Sequence, residues 1–486
     1  MRTPIAAVLL LALASCGGGL DDGVVDVAFI GTPQDMFAGG VRLESAAQHL
    51  RAAQAQGLVR LDAAGNVVPG LAEAWIVTDD GRSYIFRLAE FDLSGGQRLT
   101  AQGARDSLLR TRRQLQGTSL GLDLAKIAEI RAMTGRVIEF RLTGPMPDFL
   151  QLLAQPELGI EINGAVAGPM RSARQKDVVA LNAMPPEQRG LPAQPDWEDA
   201  LHEVRAYAVS AARATEGFSD GRYDLVLGGT LANLPLASTG PLTRGTLRLD
   251  SAIGLFGLDV QRRAGFLAST ENREALAMAI DREALVQPFG IGGWIATTRL
   301  VAPGLPGDGG SVGERWSDLA VEARQARAAA RVARWRSANG TPPRLAIFLP
   351  PGPGSDTLFT ALARDLAAIG VSTRRAERAT DADLVLRDRV ARYGDPRWFL
   401  NQFACPVSPR QCAEGVDYLV QLSLSARSQA EAASYLSEAE ATLTGLNLFI
   451  PLGAPIRWSQ VRANLPGFTE NPWALHPLFP LSRAPM

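Results

Sequence analysis

Apolar positions along the chain change repeatedly between a period near two and a period near 3.6, which predicts short strands alternating with amphipathic helices. The run VVDVAFI at 24–30 reads as a buried strand, and 43–55 as a helix leading into Gly57. Short apolar or alternating runs at 57–61 and 84–88 flank turn residues at 64–66 and 79–81, and Thr100 is placed to cap a helix beginning near Ala101. Residues 125–132 suggest a helix and 137–142 a strand. The proline-rich stretch 184–195 reads as a long loop or small irregular insertion. Residues 197–214 return to helical spacing, and 223–227 form a short strand. Residues 247–258 then read as a strand crossing into a second half, whose first helix, 271–287, is capped by Ser269 or Thr270. After a helix at 319–335, the segments 344–349, 356–369 and 371–375 form a strand-helix-strand unit closed by Gly370. A strand at 384–386 and a helix at 429–442 follow, and 449 onward is expected to return to the first half. The result is an α/β chain of two lobes with crossing connections, and a ligand is expected at their interface, where pockets commonly occur.

The first residues change this picture, because they belong to processing rather than to the fold. Arg2 and the apolar run 5–14, too short to span a bilayer, read as a signal peptide over 1–15. Leu13-Ala14-Ser15-Cys16 resembles a bacterial lipobox, which makes Cys16 the expected lipidation site and 16–23 a glycine-rich tether. Several acyl chains on one cysteine anchor stably where one does not. The remaining cysteines, Cys405 and Cys412, form an even pair in an exported chain and are expected to be disulfide-bonded. Two thiols with no histidine nearby supply half a zinc shell, so neither metal nor cofactor is expected. With 46% hydrophobic and 20% charged residues and a formal net charge of −1, wholesale disorder, a polytopic membrane protein and nucleic acid as main partner are all disfavoured.

One stretch carries more than its elements. Residues 57–110 resemble the bacterial extracellular solute-binding proteins of family 5, which feed peptides, nickel chelates, opines and related compounds to ABC importers and in which this run reads roughly "G-L-hydrophobic, turn, P-x-L-A-x-x-W, D-G, aromatic-x-F-x-L, G-x-x-L-T-A-x-D", with Gly103 here in place of the last aspartate. Later blocks agree in order: TENREALAMAIDREAL at 270–285, GGWIATTRLVAPGLPG at 292–307, YGDPRWFL at 393–400 and IPLGAPIRWSQVRANLPGF at 450–468. Only 160–250 is poorly matched. The resemblance implies a two-lobed periplasmic-binding-protein fold of the large peptide-binding type. Lobe 1 with an inserted subdomain would span 24–255, lobe 2 256–446, and a return to lobe 1 447–486. It further implies capture of a peptide or other small solute, delivery to permease subunits, a membrane contact through the lipid anchor alone, and a monomer. A sensory or structural lipoprotein of the same fold is the alternative.

The resemblance also nominates site residues. Gln56 sits where peptide binders often carry an acidic ligand contact, and Trp294, Trp398 and Trp458 fall in segments that approach the cleft. Tryptophan suits a clamp, offering large apolar area and one N–H donor. Within Arg392-Tyr393-Gly394-Asp395, the position before the aromatic is typically an aspartate in peptide binders and is arginine here. A guanidinium suits carboxylate or phosphate. The ligand therefore presents an acid to Arg392, or Arg392 is neutralised internally by a residue such as Asp395 or Asp388. Arg392→Asp leaving ligand preference untouched would sink the first alternative.

Catalytic readings are weaker. Gly309-Gly310-Ser311-Val312-Gly313 matches a nucleophile elbow, but it lies in a Pro/Gly-rich loop without the required strand and helix. The chain has three histidines, His49, His202 and His476, with no metal-binding spacing. Gly352 and Gly354 precede a helix N-terminus that offers an anion site or an ordinary turn. Arg324, Arg327, Arg331 and Arg334 make a basic stripe on one helix face, suited to solvent or to an anionic partner.

Overall fold

The computed structural model describes residues 23–90, 92–237 and 245–483. The signal segment, Cys16 and all of the tether but Gly23 lie outside the described residues. A seven-stranded sheet runs in the spatial order Met170–Gln175, Val178–Ala183, Glu203–Val209, Val24–Ile30, Leu225–Thr230, Arg457–Val461, Leu247–Asp250. Val24–Ile30 lies at its centre and is parallel to both neighbours, the setting in which a nearly continuous apolar run is buried on both faces. A five-stranded sheet runs Ser372–Arg375, Arg344–Phe348, Leu384–Val390, Gly254–Val260, Phe449–Gly453. Its parallel pair Arg344–Phe348 and Ser372–Arg375 is bridged by helix Pro353–Ala368, the predicted crossover unit. These are the two lobes of an α/β fold.

Between the first strand and the rest of the seven-stranded sheet, the chain builds a smaller body around a four-stranded sheet, Ala72–Val77, Ser83–Leu88, Val137–Leu142, Ile127–Thr134. Helix Ala101–Gln114 starts where predicted, the Thr100 hydroxyl accepting the Gly103 N–H at 3.1 Å. The core of this body is continuous with that under Pro396–Asn401 and Gln429–Leu446, so Phe86, Phe140, Phe149 and Phe399 share one cluster.

Several elements differ from expectation. The predicted helix at 125–132 is strand Ile127–Thr134, because a tight turn pairs it with Val137–Leu142 and cross-strand pairing outweighs the i, i+3 spacing of Ile127 and Ile130. The predicted helix at 197–214 is strand Glu203–Val209 followed by helix Ala211–Ser219; the strand alternates buried and half-buried positions, a pattern its small alanines disguise. The helix predicted at 271–287 breaks into Thr270–Ala279 and Arg282–Val286, with Asp281 capping the second piece. The single crossover strand at 247–258 is two strands in different sheets, Leu247–Asp250 and Gly254–Val260, broken at 251–253. Phe449–Gly453 still belongs to the five-stranded sheet, so the chain returns to the other lobe through 454–456 and not at 447. Cys405 and Cys412 are joined in a disulfide, with Cα atoms 4.9 Å apart.

His49 on helix Ser45–Gln54 ties the first lobe to the C-terminal segment. Its Nδ1 bonds the Ser45 carbonyl oxygen at 2.6 Å and its Nε2 accepts the His476 N–H at 3.1 Å. That geometry requires a neutral ring, and burial pushes His49 down to about 3. The folded protein therefore binds fewer protons here than the unfolded chain between pH 6.5 and 3. This contribution to stability is complete above pH 6.5 and is lost as pH falls through that window. His49→Gln is expected to flatten the fall in stability on acidification, measured by urea titrations at pH 7, 5.5 and 4; an unchanged slope would refute the assignment.

Candidate functional site

A cavity of about 730 Å³ opens between the lobes. The seven-stranded sheet supplies 228–230 and 457–459, the five-stranded sheet and the helix after it supply 388–392, Trp398 and Gln402, and the smaller body supplies Gln155 and Glu157. Three tryptophans face it, Trp398, Trp458 and Trp473. Trp458 packs beneath its floor: the indole is fully buried, with Nε1 donating to the Thr230 carbonyl at 2.9 Å and to Asn233 Oδ1 at 3.1 Å. Gly229 is paired with Trp458 across the strands, and a Cβ there would overlap the ring. A bulge at Gly228, in the left-handed region at φ +84°, lays the Gly229 backbone flat on the indole.

Two ion pairs hold the walls together across the cleft. Asp388 of strand Leu384–Val390 meets Arg457 of strand Arg457–Val461 at 2.7 Å, joining the two large sheets beside the 454–456 crossing. Arg392 meets Glu157 at 2.8 Å, and its own carbonyl accepts from Gln155 Nε2 at 2.7 Å. Arg392 is thus neutralised internally, and its counter-charge is neither Asp395 nor Asp388 but a carboxylate 235 residues away. The Glu157 side chain is 2% exposed and its second oxygen, Oε2, finds no hydrogen-bond partner among the described residues, so Arg392 alone compensates it. Arg392→Ala is expected to destabilise by about 3 kcal/mol, because it leaves a buried carboxylate unpaired. Arg392→Ala with Glu157→Gln should recover most of the loss, and a double-mutant cycle in urea reads the coupling.

The other nominated residues separate. Trp398 and Trp458 line the cleft with Arg392. Tyr393 does not: it is fully buried in the core beside Asp123, whose carboxyl burial pushes up to about 7 against the pull of Arg397. Asp395 caps helix Pro396–Asn401, accepting the Arg397 N–H at 2.7 Å. Trp294 lines a neighbouring, mainly apolar cavity of about 380 Å³ that touches the cleft at Asp250 and Arg457. Gln56 lines a third cavity of about 350 Å³ beside His49. Ser311 sits in an exposed loop, with neither the strand nor the helix of a nucleophile elbow next to it. At Gly352 and Gly354 the backbone of 231–232 packs so closely that its carbonyl oxygens take the space a side chain would fill, which accounts for both glycines. In the basic stripe, Arg331 pairs with Glu274 at 2.6 Å.

Arg389, Gln402, Arg457 and Trp473 were not singled out from sequence. Arg389 was in principle legible, since LVLRDRV places three charges on a strand whose neighbours are buried, but nothing local says which charge lacks a counter-ion. Arg389 is open to the cavity, with Nη1 donating to Gln402 Oε1 at 3.1 Å. Loss of surrounding water pushes its guanidinium down from the ordinary arginine range, and Arg387 adds to the effect.

Comparison with known proteins adds a lineage. The family model described as bacterial extracellular solute-binding proteins, family 5 middle, matches residues 66–408. The di/tripeptide-binding protein 1 of Pseudomonas aeruginosa (strain UCBPP-PA14) is 21% identical over 469 residues, covering 86% of each chain. The fold of Haemophilus influenzae OppA in complex with RPPGFSPFR superposes with a TM-score of 0.80 at 16% identity, over 96% of this chain and 100% of that one. The Escherichia coli murein tripeptide binding protein MppA gives 0.78 at 16% identity, over 95% and 98%. At these identities the two structures show a common fold.

Proposed function

The chain belongs to the bacterial extracellular solute-binding proteins of family 5, and from that premise we propose that it is the receptor of an ABC importer, capturing a peptide or peptide-like solute between its lobes and presenting it to the permease. The observation that carries this reading is the cavity of about 730 Å³ walled by both large sheets. The lobes are joined by short crossings at 251–253 and 454–456. Such paired crossings suit a hinge, and ligand contacts made to both walls would bias it toward closure. Trp398, Trp458 and Arg392 are the nominated residues that this reading keeps in or under the cleft wall, Arg392 already paired with Glu157; Trp294 and Gln56 would contact only a ligand that extends into the adjoining cavities. Lobe 1 is taken as the seven-stranded sheet with its inserted smaller body, and lobe 2 as the five-stranded sheet.

We place the protein outside the cytoplasmic membrane, as a monomer held by lipid on Cys16. Among the described residues no helix is long and apolar enough to cross a membrane. Cys16→Ala should move the protein from the membrane fraction to the soluble fraction; retention in the membrane fraction would remove the anchor. The function itself is tested by extracting the purified protein with denaturant, identifying any released solute by mass spectrometry, and repeating thermal unfolding with that solute and with peptide mixtures. Ligand at 100 times its Kd adds about 2.7 kcal/mol, a readily measured shift. No released solute and no shift with any mixture would move the protein to a sensory or structural role.

A further inference from the structure

The ionisable groups on the cleft wall are unevenly matched. Glu157 is paired with Arg392 at 2.8 Å, Asp388 with Arg457 at 2.7 Å, and Asp250 with His476 at 3.2 Å. Glu157 and Asp388 are thus committed to guanidinium groups, and Asp250 is held by hydrogen bonds from His476 and the Asn471 N–H. Arg389 stands differently: among the described residues it has no carboxylate within ion-pair distance, and its guanidinium hydrogen-bonds the neutral amide of Gln402. It is nevertheless set in the wall beside Arg392 and open to the cavity. Arg42 and Glu44, the other two charges of the wall without an ion-pair partner among the described residues, are exposed like Arg389 and lie in the segment before helix Ser45–Gln54. Asp259, which is paired with Arg387, and then Glu44 act on Arg389 through space without touching it.

A ligand ammonium entering this cleft therefore meets only the exposed Glu44 and carboxylates that are already hydrogen-bonded, whereas a ligand carboxylate meets a planar guanidinium with all but one of its donors unspent. We infer that the cleft selects solutes by an acidic group, the carboxylate of a peptide or peptide-like acid pairing with Arg389 while the Gln402 amide holds the guanidinium in place. A free amino terminus adds nothing to recognition at this site. The inference rests on the receptor reading above and specifies its ligand. It also transfers to Arg389 the role that sequence suggested for Arg392, which Glu157 has already filled.

The rival account makes Glu44 and Arg389 a latch that closes the empty cleft, and the two accounts predict opposite results for one variant. A randomised tripeptide mixture is prepared in four forms: free, N-acetylated, C-terminally amidated and blocked at both ends. Each is titrated calorimetrically into the purified protein. The N-acetylated acids are expected to bind at least ten-fold more tightly than the doubly blocked forms, the scale of a charge-assisted hydrogen-bonded pair. Arg389→Gln should shrink that ratio to within about three-fold without weakening the doubly blocked forms, and Glu44→Gln should strengthen acid binding by removing a competing charge. Weaker binding of every form in Glu44→Gln would establish the latch and overturn the inference. So would tight binding that depends on the free amino group, or an acid preference that survives Arg389→Gln. In either case the receptor reading would stand, because ligand still binds; binding of no form would overturn both.

Discussion

Arg299→Ala is expected to cost about 3–5 kcal/mol, because it strands two buried carboxylates at once. Arg299 donates through both Nη atoms to Asp308 at 3.0 Å, and through Nε and Nη2 to Glu440 at 3.2 and 2.9 Å. All three side chains are at most 7% exposed. Glu440 belongs to helix Gln429–Leu446 and also accepts the Val301 N–H, so the cluster pins the 292–316 loop to the second lobe. Glu314 reinforces it, accepting from both Thr297 and Thr298. The guanidinium holds the Asp308 carboxyl below the usual carboxylate range. Asp308 therefore contributes stability that is complete above about pH 4 and lost as pH falls below it. Urea unfolding followed by tryptophan emission should show a lower midpoint at pH 7 for Arg299→Ala, with the gap narrowing toward pH 3. A loss under about 1 kcal/mol at pH 7 would mean that the loop is held by its apolar contacts alone.

Trp458→Ala is expected to be as damaging to stability and worse for binding. The side chain is among the largest fully buried ones in the molecule and lies directly beneath the cleft wall, so its removal opens a void next to the ligand cavity. Truncating a buried aromatic of this size costs about 3–5 kcal/mol, part of it from the cavity left behind. The loss also strips the Thr230 carbonyl and Asn233 side chain of a shared donor at the end of strand Leu225–Thr230. Trp458→Phe isolates that second component: the ring volume is largely kept, the donor is lost, and a cost of about 1–2 kcal/mol is expected. Gly229→Ala tests the same contact from the other side, since its methyl would overlap the indole and displace it. Ligand-dependent thermal shifts should be abolished in Trp458→Ala and reduced in Gly229→Ala. A full shift in Trp458→Ala would place the ligand elsewhere in the cleft.

The elements that sequence predicted well are those whose signals are local. Thr100 and Ser269 each accept the backbone N–H of the third residue into their helix, as their positions implied. Gly370 ends helix Pro353–Ala368 with φ +84°, and the strands on either side pair in parallel as the crossover pattern required. Mistakes cluster where two periods fit the same residues. In EVRAYAV alanines occupy two of the three inward positions, Ala206 and Ala208, so the alternation that makes a strand is weak in hydrophobicity and is reinforced by the neighbouring Val24–Ile30 strand. IAEIRAMT satisfies helical spacing until a hairpin partner is supplied.

By itself the sequence determined the lobed α/β class, the helix starts, the family and the presence of tryptophan and charge near a cleft, because patterning, caps and motifs act over a few residues. The tertiary structure alone decided which charges remain available. Glu157 and Arg392 are separated by 235 residues, and Asp388 and Arg457 by 69, so no window on the chain could pair them. Desolvation makes that pairing decisive: an arginine opposite a buried carboxylate is part of the wall, whereas Arg389, three residues earlier on the same stretch and with no carboxylate at ion-pair distance among the described residues, is left to face whatever the cleft receives.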